Sequence, residues 1–169
     1  MRIIVAGAGK VGQTLSRNLT AEGQDVVVID IDEAVLQKCE DDLDVLCVHG
    51  SCANAQTLIN AGVDRSDILI ASTATDEVNM LCCLVAKRLG AKYCIARIRD
   101  PEYNESLTLL QHELGIDMAL NPERAVALEI SRLMRYPFAS EIVPFAKGHV
   151  EMVEFRARHG DCLVNMPIR

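Results

Sequence analysis

Three glycines near the N-terminus have the spacing of a turn that binds the phosphates of a nucleotide. Gly7, Gly9 and Gly12 form the pattern G-x-G-x-x-G. In such a turn the first glycine allows a tight bend, the second lets the backbone approach a pyrophosphate, and the third lets the following helix pack close to the strand. The helix N-terminus then offers N–H groups and the positive end of its dipole to an anion. These glycines therefore predict a nucleotide-binding turn.

An acidic residue follows at the distance that a dinucleotide site requires. Asp30 ends an apolar run eighteen residues after Gly12, and its carboxylate can accept two hydrogen bonds from ribose hydroxyls. The same carboxylate would repel a 2′-phosphate, and neither Ile31 nor Asp32 offers a cation to bind one. The pattern therefore disfavours NADP(H) and favours NAD(H), ATP/ADP or another adenosine ligand.

The sequence also predicts the strand and the helix that position these residues. Residues 2–6 form a short apolar run that predicts a buried strand. Helix-forming residues run from Val11 to about Glu22, and Gly23 supplies a left-handed residue that can end this helix. The glycine turn thus has a strand before it, a helix after it and an acid at the expected distance. This context makes the glycine pattern a much more specific sign of nucleotide binding than its spacing alone.

Strands and helices continue to alternate along the chain to about residue 135. We predict strands at 26–29, 45–48, 68–71, 93–98 and 118–120, and helices at 33–42, 53–61, 76–89, 101–114 and 121–134. Asp76 and Asp100 are predicted to cap two of these helices. The fold class is α/β, a doubly wound parallel sheet of Rossmann type over residues 1–136. From Pro137 the sequence approaches the alternation of antiparallel strands. Residues 137–169 are therefore expected either to begin a second domain or to form a strand pair that packs on the first.

The ligand of such a sheet lies across the carboxyl ends of the strands, where strand order reverses. Four loops are then relevant: 7–12, 30–32, 49–51 and 72–75. The loop at 72–75 is small and hydroxylated, which suits contact with a phosphate or ribose, although it can also be an ordinary strand-to-helix connection. The predicted binding residues are Gly7, Ala8, Gly9, Lys10, Val11, Gly12, Asp30, Ile31, Gly50, Ser51, Ser72, Thr73, Ala74 and Arg97.

Cations at two places could meet the ligand's phosphates. Arg97 is embedded in an apolar strand, where an unpaired charge is costly. This favours a phosphate or carboxylate partner, with a buried structural ion pair as the alternative. Arg99 points to the same side of that strand by its period of two. Lys10 either reaches a terminal phosphate or is solvated.

Composition excludes several classes of function. The net charge of −7 and the pI near 5.1 argue against a nucleic-acid surface. No apolar run approaches the twenty residues of a membrane span, and the N-terminus lacks a signal-peptide pattern, so no direct membrane insertion is expected. The cysteines contain no C-x-x-C pair and predict reduced, buried thiols of a cytosolic protein without a metal site. They are Cys39, Cys47, Cys52, Cys82, Cys83, Cys94 and Cys162.

No catalytic constellation is present in the sequence. His49 is the only histidine near the predicted site, and no carboxylate is evident to orient it. The site therefore predicts nucleotide binding without catalysis. A small NAD-dependent oxidoreductase, or a fragment of a dehydrogenase, is the alternative. A methyl-donor-binding enzyme is a further alternative, although loop 72–75 lacks the Asn/Asp-Pro-Pro-aromatic motif of such enzymes.

Several motifs in the same order resemble the KTN domain, also called the N-terminal RCK domain, of potassium channels and transporters. The matching segments are 7–12, 27–30, 49–51, 76–80, 95–101 and 121–123. The resemblance implies a cytoplasmic, non-enzymatic regulator, peripheral on the inner face of the plasma membrane, that assembles into a ring. It implies that NAD(H) or ATP/ADP gates a membrane potassium-transporter pore subunit, and that residues 137–169 start a truncated RCK C-terminal domain. It also implies that Gly7, Gly9, Gly12, Asp30, Thr73 and Arg97 contact the nucleotide, with Lys10 on the phosphate side.

The last helix of the predicted sheet domain has more apolar surface than packing on one sheet requires. Its apolar residues include Ala125, Val126, Leu128, Ile130, Leu133 and Met134. A helix that is apolar nearly all round needs a second partner. Residues 137–169 of the same chain are one candidate, and the family resemblance favours a neighbouring subunit. We therefore predict a homo-oligomer, a dimer or a higher ring.

Overall fold

The computed structural model describes residues 1–103, 105–157 and 164 of the 169-residue chain. These residues divide into two compact units, the first Met1–Pro122 and the second from Glu123 onward. The change in sequence pattern predicted a boundary at Pro137. In the structure, the helix predicted at 121–134 is grouped with the residues that follow it. Each unit is described by itself.

The first unit is built on a six-stranded parallel sheet with strand order β3-β2-β1-β4-β5-β6. The strands are β1 (Arg2–Ala6), β2 (Asp25–Asp30), β3 (Leu46–His49), β4 (Ile68–Ala71), β5 (Tyr93–Arg97) and β6 (Met118–Leu120). The helices of this unit are α1 (Lys10–Ala21), α2 (Glu33–Asp42), α3 (Ala55–Asn60), α4 (Asp76–Arg88) and α5 (Leu107–Leu114). Short 3₁₀ turns lie at Val63–Arg65 and Pro101–Tyr103.

The central strand packs on both of its faces. Ile4 and Ala6 belong to one buried cluster, and Ile3 and Val5 belong to another. Because successive side chains of a strand point to opposite faces, this alternation places apolar cores on both sides of the sheet. The predicted doubly wound α/β fold is confirmed.

Strand order reverses at β1, which lies between β2 and β4. Backbone hydrogen bonds join the loops at this point: Gly7 N donates to Ile29 O at 2.8 Å, and Ser72 N donates to Ala6 O at 2.7 Å. Three predicted loops therefore meet at the carboxyl edge of the sheet, where ligands of such folds bind.

Asp76 has a different role from the predicted one. Thr75 is the N-cap residue of α4, and Asp76 is the first residue within the helix. The Asp76 carboxylate is buried and accepts hydrogen bonds from the backbone N–H groups of Arg99 at 2.7 Å and Asp100 at 2.8 Å. The prediction of a cap was wrong because the carboxylate satisfies donors of a neighbouring loop instead of those of its own helix. Burial raises the pKa of this carboxyl, but the hydrogen bonds from Asp100 and Arg99 outweigh burial and lower it.

The helix predicted at 101–114 is divided into two pieces. Asp100 does cap the first piece, because its Oδ1 accepts from Glu102 N at 2.9 Å. This piece is only a 3₁₀ turn, and Tyr103 at its end donates its hydroxyl to Glu77 at 2.6 Å. That contact ties the turn to α4, and α5 begins again at Leu107. Gly115 ends α5 in the left-handed conformation.

The second unit consists of a helix and an antiparallel hairpin. These elements are α6 (Pro122–Arg135), β7 (Ala139–Phe145) and β8 (Val150–Phe155), with a 3₁₀ turn at Ala146–Gly148. Glu151 of β8 pairs with Arg135 at 3.2 Å and Arg132 at 3.8 Å, so the hairpin is tied to the helix. Across both units, none of the helices in the described residues has the length and apolarity to cross a membrane.

Candidate functional site

A cavity of about 450 Å³ opens at the carboxyl edge of the sheet in the first unit. This volume lies within the usual range for small-molecule sites, about 300–1,000 Å³. The cavity is lined by Gly7, Gly9, Lys10, Val11, Ile29, Asp30, Ile31, Gly50, Ser51, Cys52, Ser72, Thr73, Ala74, Thr75, Val78 and Arg97. All four predicted loops contribute to this wall.

The three glycines of the turn serve three different purposes. Gly7 has φ of +100°, which L side chains rarely adopt, and a Cβ there would lie 2.7 Å from Thr73 N. A Cβ on Gly12 would lie 1.8 Å from Gly7 O, so only glycine lets α1 begin this close to β1. A Cβ on Gly9 would meet no protein atom within 4 Å. Gly9 is therefore the place where the backbone is open to a ligand.

Asp30 lies at the end of β2 with its carboxylate held in place by backbone donors. Its Oδ2 accepts from Ala8 N at 2.6 Å, and its Oδ1 accepts from Asp32 N at 2.9 Å. Each carboxylate oxygen can accept a second hydrogen bond. Asp30 thus joins the glycine turn to the β2 loop and retains acceptor capacity for two ribose hydroxyls.

Ser72 and Thr73 of the β4 loop use their hydroxyls within the protein. Ser72 is 5% exposed, and its hydroxyl lies 3.3 Å from both Ala6 O and Gly7 O. The Thr73 backbone N–H and hydroxyl both donate to the side-chain oxygen of Asn79, at 2.8 and 2.7 Å. Asn79 was not among the predicted residues because it lies inside α4, where the sequence offered no sign of a contact with the loop.

The two arginines that were expected on the same side of the fifth strand lie in different places. Arg97 ends β5 and lines the cavity. Arg99 lies beyond the strand, where its guanidinium is 3.4 Å from the Asp76 carboxylate and also donates to Ala74 O. The strand's period of two does not extend to Arg99, since β5 ends before it. Arg99 therefore stabilises the loop after β4 and does not line the cavity.

Twelve of the fourteen predicted residues line the cavity. Ala8 and Gly12 are buried and do not line the cavity. The cavity also uses residues that were not predicted: Ile29, Cys52, Thr75 and Val78. Val78 lies in the first turn of α4, where it is partly buried and also packs against a core cluster.

His49 precedes the lining residue Gly50, and Cys52 is itself part of the cavity lining. His49 is exposed, with Nε2 3.0 Å from Ile31 O. Cys52 is buried in the cavity wall, and a hydrogen bond from the Cys82 thiol lowers its pKa. Within the described part of the chain, no three His, Cys, Asp or Glu side chains are placed to hold a metal ion. Cys162 lies outside the described residues.

Sequence comparison gives a family and several relatives. The profile of the TrkA-N domain family matches residues 3–122. The chain is 41% identical over 160 residues to a protein of Archaeoglobus fulgidus named Trk system potassium uptake protein TrkA homolog, covering 95% of this chain and 36% of that protein. It is 38% identical over 167 residues to the Trk system potassium uptake protein TrkA of Haemophilus influenzae, covering 97% of this chain and 36% of that protein. The chain thus spans about a third of these relatives' length.

Solved structures give the same fold. The TrkA-N domain of the inner membrane protein ybaL from Escherichia coli superimposes with a TM-score of 0.70 at 21% identity, over 79% of this chain and 96% of that one. The GsuK channel bound to NAD has a TM-score of 0.61 at 24% identity, over 70% of this chain and 21% of that one. GsuK bound to ADP gives 0.60 at 23% identity, over 71% and 31%.

Proposed function

The chain belongs to the TrkA-N domain family, and from this premise we propose that it is the regulatory nucleotide-binding domain of a potassium-uptake system. It binds NAD(H) or ATP/ADP and, through the bound nucleotide, controls a membrane potassium-transporter pore subunit. It works in the cytoplasm, peripherally on the inner face of the plasma membrane, and it is not an enzyme.

The observation that carries this proposal is the cavity at the carboxyl edge of the sheet. The glycine turn and Asp30 share its wall, as a diphosphate and a ribose require. The names of the relatives support potassium uptake, and GsuK bound to NAD and to ADP supports the two classes of ligand. Because the chain covers only 36% of each relative, the pore subunit and the gating step belong to the proposal and not to the comparison.

The experiment is a thermal-shift and calorimetric titration of the purified chain with NAD, NADH, ATP, ADP and NADPH. A ligand that binds only the folded state raises the melting temperature by mass action. We expect NAD(H) or ATP/ADP to raise it, and NADPH to raise it least because Asp30 repels the 2′-phosphate. No shift with any adenosine nucleotide would overturn the proposal. Turnover of NAD with candidate alcohols would favour the oxidoreductase alternative.

Replacement of Asp30 tests the ribose contact directly. Asp30→Ala should weaken binding of adenosine nucleotides by about 1–3 kcal/mol, the range for removing a charge-assisted hydrogen-bond partner. The matched control is Asp32→Ala, since Asp32 caps α2 through Ala34 N at 3.0 Å and does not line the cavity. Calorimetry should show weaker binding in the first variant only. Equal affinity in Asp30→Ala and the unmutated chain would reject the ribose contact.

The apolar surface of α6 supports assembly with a second copy. Its large apolar side chains are half to three-quarters exposed: Val126 59%, Leu128 49%, Ile130 55%, Leu133 51% and Met134 77%. The alternative was that the C-terminal segment covers this surface, and β7 and β8 leave these residues exposed. In the proposal a neighbouring subunit covers them, using the same patch on both sides of a two-fold axis.

A charge placed in this patch should break the assembly. Sedimentation of the unmutated chain at tens of micromolar is expected to show a dimer or larger species. Ile130→Asp and Leu133→Asp should shift it toward monomer or aggregate, because a buried unpaired carboxylate is costly. Ser131→Asp, which adds the same charge at an exposed polar position of α6, serves as control. A monomeric unmutated chain would contradict the proposal.

A further inference from the structure

Asn79 is a fully buried polar residue whose side chain joins two parts of the cavity wall. It lies in the first turn of α4 and is 0% exposed. Its Oδ1 accepts from Thr73 N at 2.8 Å, and its Nδ2 donates to Arg97 O at 2.9 Å. Thr73 and Arg97 both line the cavity, whereas Asn79 does not. The amide therefore links the β4 loop to the end of β5 from behind the wall.

The pairing of β4 with β5 does not fix the spacing between Thr73 and Arg97, so this spacing depends on the Asn79 amide. The register of β4 and β5 ends at Ala71 and Ala96, so both residues lie beyond the last pair. A buried amide with its donor and acceptor satisfied holds the two backbones rigidly, since leaving either partner unpaired is costly.

The backbone partners also fix the orientation of the amide. Thr73 N can only donate, so the atom facing it must be Oδ1. Arg97 O can only accept, so the atom facing it must be Nδ2. The Thr73 hydroxyl lies 2.7 Å from the same Oδ1 and 3.3 Å from Thr75 O, which is also only an acceptor. The hydroxyl proton is thus directed at the protein.

It follows that Thr73 offers the cavity a lone pair and no proton. Its oxygen receives Thr75 N at 3.4 Å and retains a second acceptor position. A ligand hydroxyl can donate to that position, whereas a phosphate oxygen placed there would meet another acceptor. Because Asp30 is at β2 and Thr73 follows β4 on the other side of the glycine turn, a ligand with its first ribose at Asp30 extends toward Thr73.

Building on the proposed function, we infer that Asn79 is a positioning residue that holds the Thr73 hydroxyl as an acceptor for a second ribose of the ligand. The class of ligand selected in this way is a dinucleotide or another ADP-linked sugar, in preference to a nucleotide whose chain ends in phosphates.

ADP and ADP-ribose are the probes, because they differ by the second ribose alone. Calorimetry with the unmutated chain should show tighter binding of ADP-ribose than of ADP. Thr73→Val, which removes the hydroxyl at nearly constant shape, should weaken ADP-ribose about five- to tenfold, the effect of one hydrogen bond, and leave ADP within about twofold. Thr73→Ser should restore the difference.

Asn79→Ala should produce the same selective loss, and Asn79→Ala added to Thr73→Val should produce no further selective loss. Ser66→Ala is the matched control, because Ser66 is also 0% exposed and its hydroxyl donates to Val63 O at 2.8 Å away from the cavity. It should lower the melting temperature without changing the ratio of the two affinities.

Equal weakening of ADP and ADP-ribose in both variants would show that Asn79 is merely structural, and an unchanged ratio in Thr73→Val would overturn the inference even if Asn79→Ala fails to fold. Both of these results leave the proposed nucleotide binding intact. Failure of the unmutated chain to bind either probe would overturn this inference. The proposed function fails with it only if NAD and ATP also leave the melting temperature unchanged.

Discussion

Gly12→Ala is expected to destabilise the first unit by about 3 kcal/mol or more, because overpacking at this position cannot be relieved by a rotamer change. The added Cβ would lie 1.8 Å from Gly7 O and 2.9 Å from Gly7 C. Both are backbone atoms of the turn that Gly7 N holds against Ile29 O at 2.8 Å. Relief requires α1 to move away from β1, which would also open the turn and abolish nucleotide binding.

Urea unfolding of the variant and the unmutated chain measures this effect. Gly23→Ala is the matched control, since Gly23 has φ of +74° and a Cβ there would meet nothing within 4 Å. It should cost about 1–2 kcal/mol, the penalty for an alanine in the left-handed region. If Gly12→Ala costs no more than Gly23→Ala, the close approach of helix to strand is not essential.

Gly9→Val is expected to do the opposite: the chain folds, and nucleotide binding is lost. Gly9 has φ of −68° and ψ of −172°, which any residue adopts, and its Cβ would point into open space. A valine side chain occupies the position from which the backbone would approach a pyrophosphate. Affinity should fall by more than about a hundredfold, equivalent to about 3 kcal/mol of lost contact.

The melting temperature and the calorimetric affinity must be measured together on this variant. Valine is a poorer N-cap residue than glycine, so a loss of up to about 1 kcal/mol in stability is expected. Gly9→Ala should give an intermediate loss of affinity. A Gly9→Val chain that binds NAD or ATP as tightly as the unmutated chain would place the diphosphate elsewhere.

Gly12 and Gly9 thus have different roles within the same glycine pattern. Gly12 is required by the protein's own packing, whereas Gly9 leaves a space that the protein does not fill. The spacing G-x-G-x-x-G cannot distinguish these roles, because it records only that side chains are missing. The two roles are distinguished by the distances from a Cβ built on each glycine to the neighbouring atoms.

The sequence by itself determined the fold class, the family and most of the cavity wall. The continuous apolar runs of the strands, the helix-forming segments between them and the positions of Gly7, Gly9 and Asp30 are all patterns between residues close in the chain. Parallel strands joined by helices place their carboxyl ends together, so the four loops could be brought to one edge from the sequence. Eleven residues of the wall were predicted in this way, and Arg97 was predicted from its charge in an apolar strand. The resemblance to KTN domains is confirmed by the TrkA-N family match.

Only the tertiary structure decided which polar groups line the cavity and which support its wall from behind. Asn79 contacts Arg97 across eighteen residues, and Asp76 contacts Arg99 across twenty-three. A buried amide or carboxylate bonds to whichever donors and acceptors lie nearest in space, and that neighbour depends on the pairing of β4 with β5. Local spacing therefore predicted a cap at Asp76, whereas tertiary packing made its carboxylate an acceptor for the backbone of the next loop.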